Sequence, residues 1–296
     1  MTQAYSKKFA EETTNSMSGS GKTIFVTGAG GFVASHTVIE LQEEGYNIVA
    51  VDNFANSVQG DRTEMPESLR RVEKFTGRKI IFYKVDLCDK AALFEVFSKH
   101  KIDCVIHFAA LKAVGESWEI PLKYYSNNVN GSNNLLEVMK EFDCKRIVFS
   151  SSSVAYGDPQ YLPVDEKHPI GNCTSPYGTS KFMTELVIRD VCKAYPDWGA
   201  MLLRYFNPVG AHLGANIGEE PCGKPNNLVP YISQVAIGKR EKLYIFGGDY
   251  DTPDGTPIRD YCHVVDLAKG HVHCMKAMFG PESNHCRAYN LGAGKR

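Results

Sequence analysis

No Cys-x-x-Cys pair and no His-Glu-x-x-His motif occurs among the nine cysteines and nine histidines of this 296-residue chain. Zinc sites and dithiol redox motifs need ligands or thiols at such spacings, so neither has a basis in the sequence. His271 and His273 are two residues apart and on a helix point to different faces, so no metal site is expected there. Apolar runs are short, and none approaches the roughly 20 residues that span a bilayer. The first 21 residues contain no hydrophobic signal region and are expected to form a disordered tail. Charge is nearly balanced, at a net −1, which gives neither nucleic acid nor a membrane surface an electrostatic hold. Scattered cysteines in odd number, with no signal peptide, imply reduced thiols in a cytoplasmic setting. Repeats and low-complexity tracts are absent as well. The remaining class is a soluble globular enzyme, 43% hydrophobic, with one large core or a core plus a smaller lobe.

What is present begins with a strand, a glycine turn and a helix. Lys22 to Thr27 reads as a short apolar strand, Gly28-Ala-Gly-Gly31 as the turn, and Ser35 to Glu44 as a helix closed by Gly45. That order is the context a dinucleotide-binding fingerprint requires. Glycine lets the backbone turn sharply and approach a pyrophosphate, whose charge a helix N-terminus favours. A second strand, Asn47 to Val51, ends at Asp52, twenty-one residues after Gly31. A carboxylate there accepts hydrogen bonds from a ribose and opposes a 2′-phosphate, so NAD is expected over NADP. Ser18-Gly-Ser-Gly-Lys-Thr23 ends like a P-loop, but position 16 is Ser and a strand rather than a helix follows.

The rhythm continues. Strands are expected at Ile80–Val85, Cys104–Phe108, Lys145–Ser150 and Met201–Phe206. Helices are expected after Pro66, over Ala91–Lys99, and from Pro121 through Met139. Alternation of this kind predicts an α/β fold, a Rossmann-like doubly wound parallel sheet whose ligands bind at the carboxyl ends of its strands. The division is expected to run as residues 22–206 for the cofactor domain and 207–296 for a smaller, irregular substrate lobe. The sheet would then be complete by about residue 206.

Tyr177 and Lys181 stand one helical turn apart, so phenol and ammonium share a face. A free tyrosine, pKa roughly 10, is a poor base; a neighbouring cation favours the phenolate and makes it a proton acceptor. A serine cluster, Ser150 to Ser153, lies upstream. Taken alone, Tyr-x-x-x-Lys is a weak signal, because tyrosine and lysine are common surface-helix residues.

Four longer stretches narrow the reading: His107-Phe-Ala-Ala-Leu-Lys-Ala-Val-Gly-Glu-Ser117, Arg204-Tyr-Phe-Asn-Pro-Val-Gly-Ala-His212, Pro225-Asn-Asn-Leu-Val-Pro230 and Asp254-Gly-Thr-Pro-Ile-Arg-Asp-Tyr261. With the motifs above, from Lys22 to Gly294, they resemble the UDP-galactose 4-epimerases of the extended short-chain dehydrogenase/reductase superfamily. The resemblance implies that Gly28, Gly31, Phe32 and Val33, with the loop Asp52, Asn53, Phe54, Ala55, Asn56 and Ser57, hold the adenosine and pyrophosphate of NAD. Asp86 and Leu87 would flank the adenine. Phe108, Ala109, Ala110, Lys112, Asn127 and Phe206 would line the rest of the cofactor, together with Tyr177 and Lys181. Ser152, Tyr177 and Lys181 would form the catalytic set. Lys112, Asn207, Asn226, Asn227, Leu228, the strand Tyr244-Ile245-Phe246 and Arg259 would bind the UDP-sugar, beside Ser152 and Tyr177. Asn amides suit uracil edges and an arginine fork suits a diphosphate. The implied activity is interconversion of UDP-galactose and UDP-glucose by a homodimer, with NAD regenerated in each cycle.

Departures from the pattern are Ala34 at the third fingerprint glycine, Ala110 for a usual glycine, and Ser153-Val154, where Val154 replaces a substrate-contacting Thr. The chain stops at Asn290-Leu-Gly-Ala-Gly-Lys-Arg296, where the family continues for several tens of residues. The substrate lobe is therefore expected to be incomplete and its hold on UDP weakened. Rival readings share the fold: an epimerase of UDP-N-acetylhexosamine or UDP-glucuronate, or a non-catalytic NAD-binding scaffold or sensor. A dehydratase would need an acidic pair after the catalytic hydroxyl, which Ser153-Val154 does not supply.

Overall fold

The computed structural model describes residues 21–59, 64–245, 247–280 and 283–294. Most of them surround a seven-stranded parallel sheet. Its strands are β1 (Thr23–Thr27), β2 (Asn47–Asp52), β3 (Ile81–Lys84), β4 (Cys104–His107), β5 (Arg146–Ser152), β6 (Gly199–Tyr205) and β9 (Cys286–Leu291), in the order β3-β2-β1-β4-β5-β6-β9. The order reverses direction between β1 and β4, and a crevice opens there at the carboxyl edge. The tail expected at the N-terminus lies, apart from Gly21, outside the described residues.

Burial on both faces makes these strands near-continuous apolar runs. Side-chain alternation sorts them into two cores. Ile24, Val26, Ile48, Ala50, Ile106, Val148, Met201 and Leu203 face one side, which helices α1 (Phe32–Glu43), α2 (Glu67–Thr76) and α9 (Val264–Ala277) cover. Phe25, Val49, Val51, Val105, Ile147, Phe149 and Leu202 face the other. There lie α3 (Lys90–Lys99), α6 (Gly131–Glu141) and α7 (Pro176–Ala194). The helix foreseen from Pro121 forms, but not as one regular element. A short turn α5 (Pro121–Tyr124) leads into a π-helical turn, Tyr125–Asn130, and then α6, with α4 (Val114–Glu119) before them. The π turn carries Asn127 and Asn128, and such bulges gather at functional sites.

Two expectations need correction. The sheet does not end at residue 206: β9 pairs with β6 from Ala200↔Cys286 to Tyr205↔Leu291. Its alternating side chains join both cores, Ala288 on one side and Tyr289 on the other. Helix α9 packs on α1, so residues 264–291 return to the main sheet. The strand foreseen at 244–246 is also absent from its described part. Tyr244 and Ile245 are 56% and 71% exposed and lie in no strand; Phe246 lies outside the described residues. Instead, the segment between the sheet's last strands holds a two-stranded parallel pair, β7 (Asn207–Val209) with β8 (Tyr261–His263), and helix α8 (Leu228–Ala236).

Leu203 is fully buried in β6 between β5 and β9. Leu203→Ala is expected to lower stability by about 2–5 kcal/mol through lost transfer energy and a residual cavity, measured by urea denaturation.

Candidate active site

Tyr177 and Lys181 lie on the first two turns of α7, whose start the sequence fixes. The Gly178 N–H donates to Ser175 Oγ at 3.1 Å and Pro176 occupies the first turn. Ser152 ends β5, so the parallel sheet brings its hydroxyl to the carboxyl edge facing that helix. The hydroxyl stands beside the half-buried Tyr177 phenol. Burial raises the phenol's pKa, and the neighbouring Ser152 hydroxyl works against the rise. Lys181 is 4% exposed and its Nζ donates to the Ser150 carbonyl at 2.7 Å. Burial pushes the Lys181 pKa down to about 7, with the Glu185 carboxylate one turn away opposing the shift.

A polar chain behind this pair orients its supports. The Ala109 N–H donates to Thr27 Oγ1 at 3.2 Å. Thr27 Oγ1 in turn lies 2.7 Å from His107 Nδ1, and His107 Nε2 lies 2.9 Å from Ser132 Oγ. Ser132 donates to the Asn128 carbonyl at 2.5 Å. The direction of donation assigns the hydrogen of His107 to Nε2. Burial, with Lys181 nearby, holds its pKa down near about 3, so the ring stays neutral. Asn128 is a hub: its amide meets the Leu111 N–H and carbonyl at 2.8 and 3.0 Å and Ser180 Oγ at 2.9 Å. The π turn, the loop after β4 and α7 are thereby locked together.

The dinucleotide side has the features a pyrophosphate and ribose need. Gly28 has φ +61°, and a Cβ there would stand 2.7 Å from Ala109 Cα, so only glycine allows the two loops this approach. No side chain caps α1, leaving its first N–H groups for an anion. Asp52, 7% exposed, accepts from the Gly30 and Phe54 N–H groups and from Ser57 Oγ at 2.9, 2.8 and 2.8 Å. Its fixed negative charge suits ribose hydroxyls and repels a 2′-phosphate. Asp86 accepts from the Cys88 N–H and the Asn53 amide at 2.8 and 2.9 Å. Burial opposes ionisation of Asp86, but these bonds win and its pKa falls. Residues 28–33, 52–57, 86–87, 108–112, 127 and 206 all follow or flank the carboxyl ends of the strands, on one edge of the sheet. NAD therefore fits these residues.

The expected sugar-nucleotide residues are less gathered. Asn207 donates through Nδ2 to the Asp260 carbonyl at 3.0 Å. Lys112 and Asn227 meet at one carboxylate, Glu219, at 3.2 and 2.6 Å. Asn226, Leu228, Tyr244, Ile245 and Arg259 lie exposed, Arg259 turned onto the Ile258 carbonyl. Sequence reasoning gave no role to Gly30, His107, Asn128, Glu185, Arg204 or Glu219. Gly30 carried a signal in its place within the fingerprint turn, and Glu185 in its spacing of one turn from Lys181. Among the described residues no group of three His, Cys, Asp or Glu side chains is placed to hold a metal ion.

The Lys181 shift has a thermodynamic sign. Its folded pKa, about 7, lies below the roughly 10.4 of an unfolded chain. Between those values the unfolded state binds the extra proton, so this group makes stability rise with pH from about 7 to about 10. In NAD-free protein, Lys181→Met is expected to be stabilising below pH 7 and to lose that advantage towards pH 10, measured by denaturation across the range.

Comparison with known proteins agrees with this geometry. The profile of the NAD dependent epimerase/dehydratase family matches residues 24–292. The mouse UDP-glucose 4-epimerase is 57% identical over 271 residues, spanning 92% of this chain and 77% of that relative; the human one is 56% identical with the same coverage. A crystal structure of UDP-glucose 4-epimerase from Bifidobacterium longum in complex with NAD+ and UDP superposes with a TM-score of 0.87 at 49% identity. The superposition covers 92% of this chain and 78% of that one. The enzyme from Stenotrophomonas maltophila, with bound NAD and formylated UDP-arabinopyranose, gives 0.85 at 40%, with the same coverage. The chain belongs to the NAD dependent epimerase/dehydratase family, and within it to the UDP-glucose 4-epimerases.

Proposed function

We propose that this chain interconverts UDP-galactose and UDP-glucose by oxidation and re-reduction at C4 of the sugar. The observation that carries the reading is Ser152 beside Tyr177, with Lys181 one turn away and held by the Ser150 carbonyl, at the carboxyl edge beside a dinucleotide cradle. Bound NAD supplies a reversible hydride acceptor and a positive ring, which leaves the protein to manage the proton. Tyr177 is the group that takes the 4′-hydroxyl proton and later returns it. Ser152 steadies the phenolate by donating to it. Lys181, titrating near about 7, is poised to carry a proton at neutral pH and holds the strand end through Ser150. His107 stays neutral and adds no charge beside it.

Residues 207–263 are proposed as the sugar-nucleotide lobe, with Asn207, Lys112 and Asn227 its best placed polar groups. Glu219 stands where they converge, so UDP binding would draw Lys112 and Asn227 from it. A homodimer is proposed through α4, α5 and α7, where Trp118, Leu122, Met183 and Leu186 form an apolar face, 65%, 82%, 39% and 42% exposed. A cytoplasmic setting fits nine unpaired thiols. Among the described residues no helix is long and apolar enough to cross a membrane.

Incubation of the purified chain with UDP-galactose should yield UDP-glucose without added reductant, and its absence would overturn the reading. Denaturation should release NAD, not NADP, at close to one per chain. Tyr177→Phe leaves shape and burial nearly intact, so NAD should remain bound while turnover falls by about 10²–10⁴-fold.

A further inference from the structure

Glu185 and Arg204 form an ion pair with almost no contact with solvent, their side chains 0% and 2% exposed. The guanidinium grips the carboxylate with both arms, Nε to Oε1 at 2.9 Å and Nη2 to Oε2 at 2.6 Å. Buried pairs of this kind seldom add stability over apolar residues of equal volume, so their presence asks for another reason. The contacts supply one. Glu185 lies one turn beyond Lys181 on α7, and Ser151 Oγ donates to its Oε1 at 2.5 Å. Ser151 sits between Ser150, whose carbonyl holds Lys181, and Ser152, whose hydroxyl stands beside Tyr177. Arg204 reaches on from β6 to the Tyr156 hydroxyl at 3.0 Å, in the turn just after Ser152, and Tyr156 donates to Asn290 of β9 at 2.6 Å. One charge pair thus ties the base-bearing helix to both sides of the catalytic serine.

We propose that the Glu185–Arg204 pair, acting through Ser151 and Tyr156, is a positioning device that sets the Ser152–Tyr177 distance. Both side chains are buried in the protein, so the pair acts through its neighbours. The inference rests on the function proposed above. Since the Ser152 hydroxyl is what opposes the burial-driven rise of the Tyr177 pKa, drawing it away moves the phenol's titration to still higher pH. Other titratable groups face these: Tyr177 meets the phenols of Tyr124 from α5 and Tyr205 from β6. Lys181 meets His107 from β4. Glu185 meets Arg189 from its own helix, Cys286 from β9 and Cys173 from the loop before α7. None of these is altered by cutting the tie at Ser151.

The decisive variant is Ser151→Ala, which removes the link between pair and serine strand while keeping both charges. Its kcat should fall at least about fivefold, with KM for UDP-galactose, NAD content and melting temperature close to the parent's, and with the acid limb of the kcat profile moved to higher pH. Misplacement by about 1 Å is enough for losses of this order and more. Glu185→Leu/Arg204→Met, which exchanges the pair for apolar volume, should fold and lose at least about tenfold per NAD-loaded chain. A parent-like kcat and acid limb in Ser151→Ala overturns the proposal, whether or not the double variant folds. If the parent chain itself turns over no UDP-galactose, the function reading fails separately. The proposal is then decided by the ultraviolet titration of Tyr177, taken as the difference from Tyr177→Phe. An upward shift in Ser151→Ala supports it, and no shift overturns it.

Discussion

A lysine ammonium taken out of water carries a penalty of several kcal/mol unless its charge is shared, and the site is arranged around meeting that demand for Lys181. The Ser150 carbonyl supplies one hydrogen bond and Glu185 supplies opposite charge one turn away. Neither is free to move. Ser150 is fixed by β5, paired with β6 over seven successive residues, and Glu185 is held by Arg204. Even so, the balance leaves the lysine near neutrality at physiological pH rather than firmly charged. A group in that state responds to what binds beside it, which a permanently charged one does not.

The same economy of partners explains the polar residues on the other side of the lysine. His107 is buried against it, and a charged imidazole there would repel it. Thr27 and Ser132 spend the two ring nitrogens of His107 on hydrogen bonds, so the neutral ring is satisfied and has no partner for a second proton. Asn128, offered by a π turn in place of a regular helical position, uses its amide on the loop after β4 and on α7. Helix α7 and the loop after β4 therefore share a single backing.

Much of this was legible in the sequence because its signals are local. The glycine turn after Thr27, the acid at Asp52 and the four-residue step from Tyr177 to Lys181 are each set within a few residues of chain, and the strand alternation sorts side chains without reference to partners. What could not be read depends on distant pairing. Residues 286–291 look like any short strand, and only their register with β6 makes them the seventh strand of the main sheet. Arg204 reads as one charge in an apolar strand until Glu185 appears opposite it. Tyr244 and Ile245 show the reverse case: β-branched and aromatic residues favour a strand, yet these two lie exposed outside any strand. The contact of Lys181 with the Ser150 carbonyl was hidden for a related reason, since spacing gives a shared helical face but not the direction of the ammonium.

The late entry of β9 bears on how the protein is made. Until residues 286–291 leave the ribosome, β6 has β5 on one side and an unpaired edge on the other. Its partner is synthesised about eighty residues later, on the order of ten seconds at ordinary translation rates. During that interval the strand carrying Arg204 offers open N–H and C=O groups, the usual template for misplaced pairing. The intervening segment, with its glycines, prolines and short parallel pair, is chain that must be threaded out of the way before the edge is closed. Folding yield, more than final stability, is the quantity this topology puts under strain.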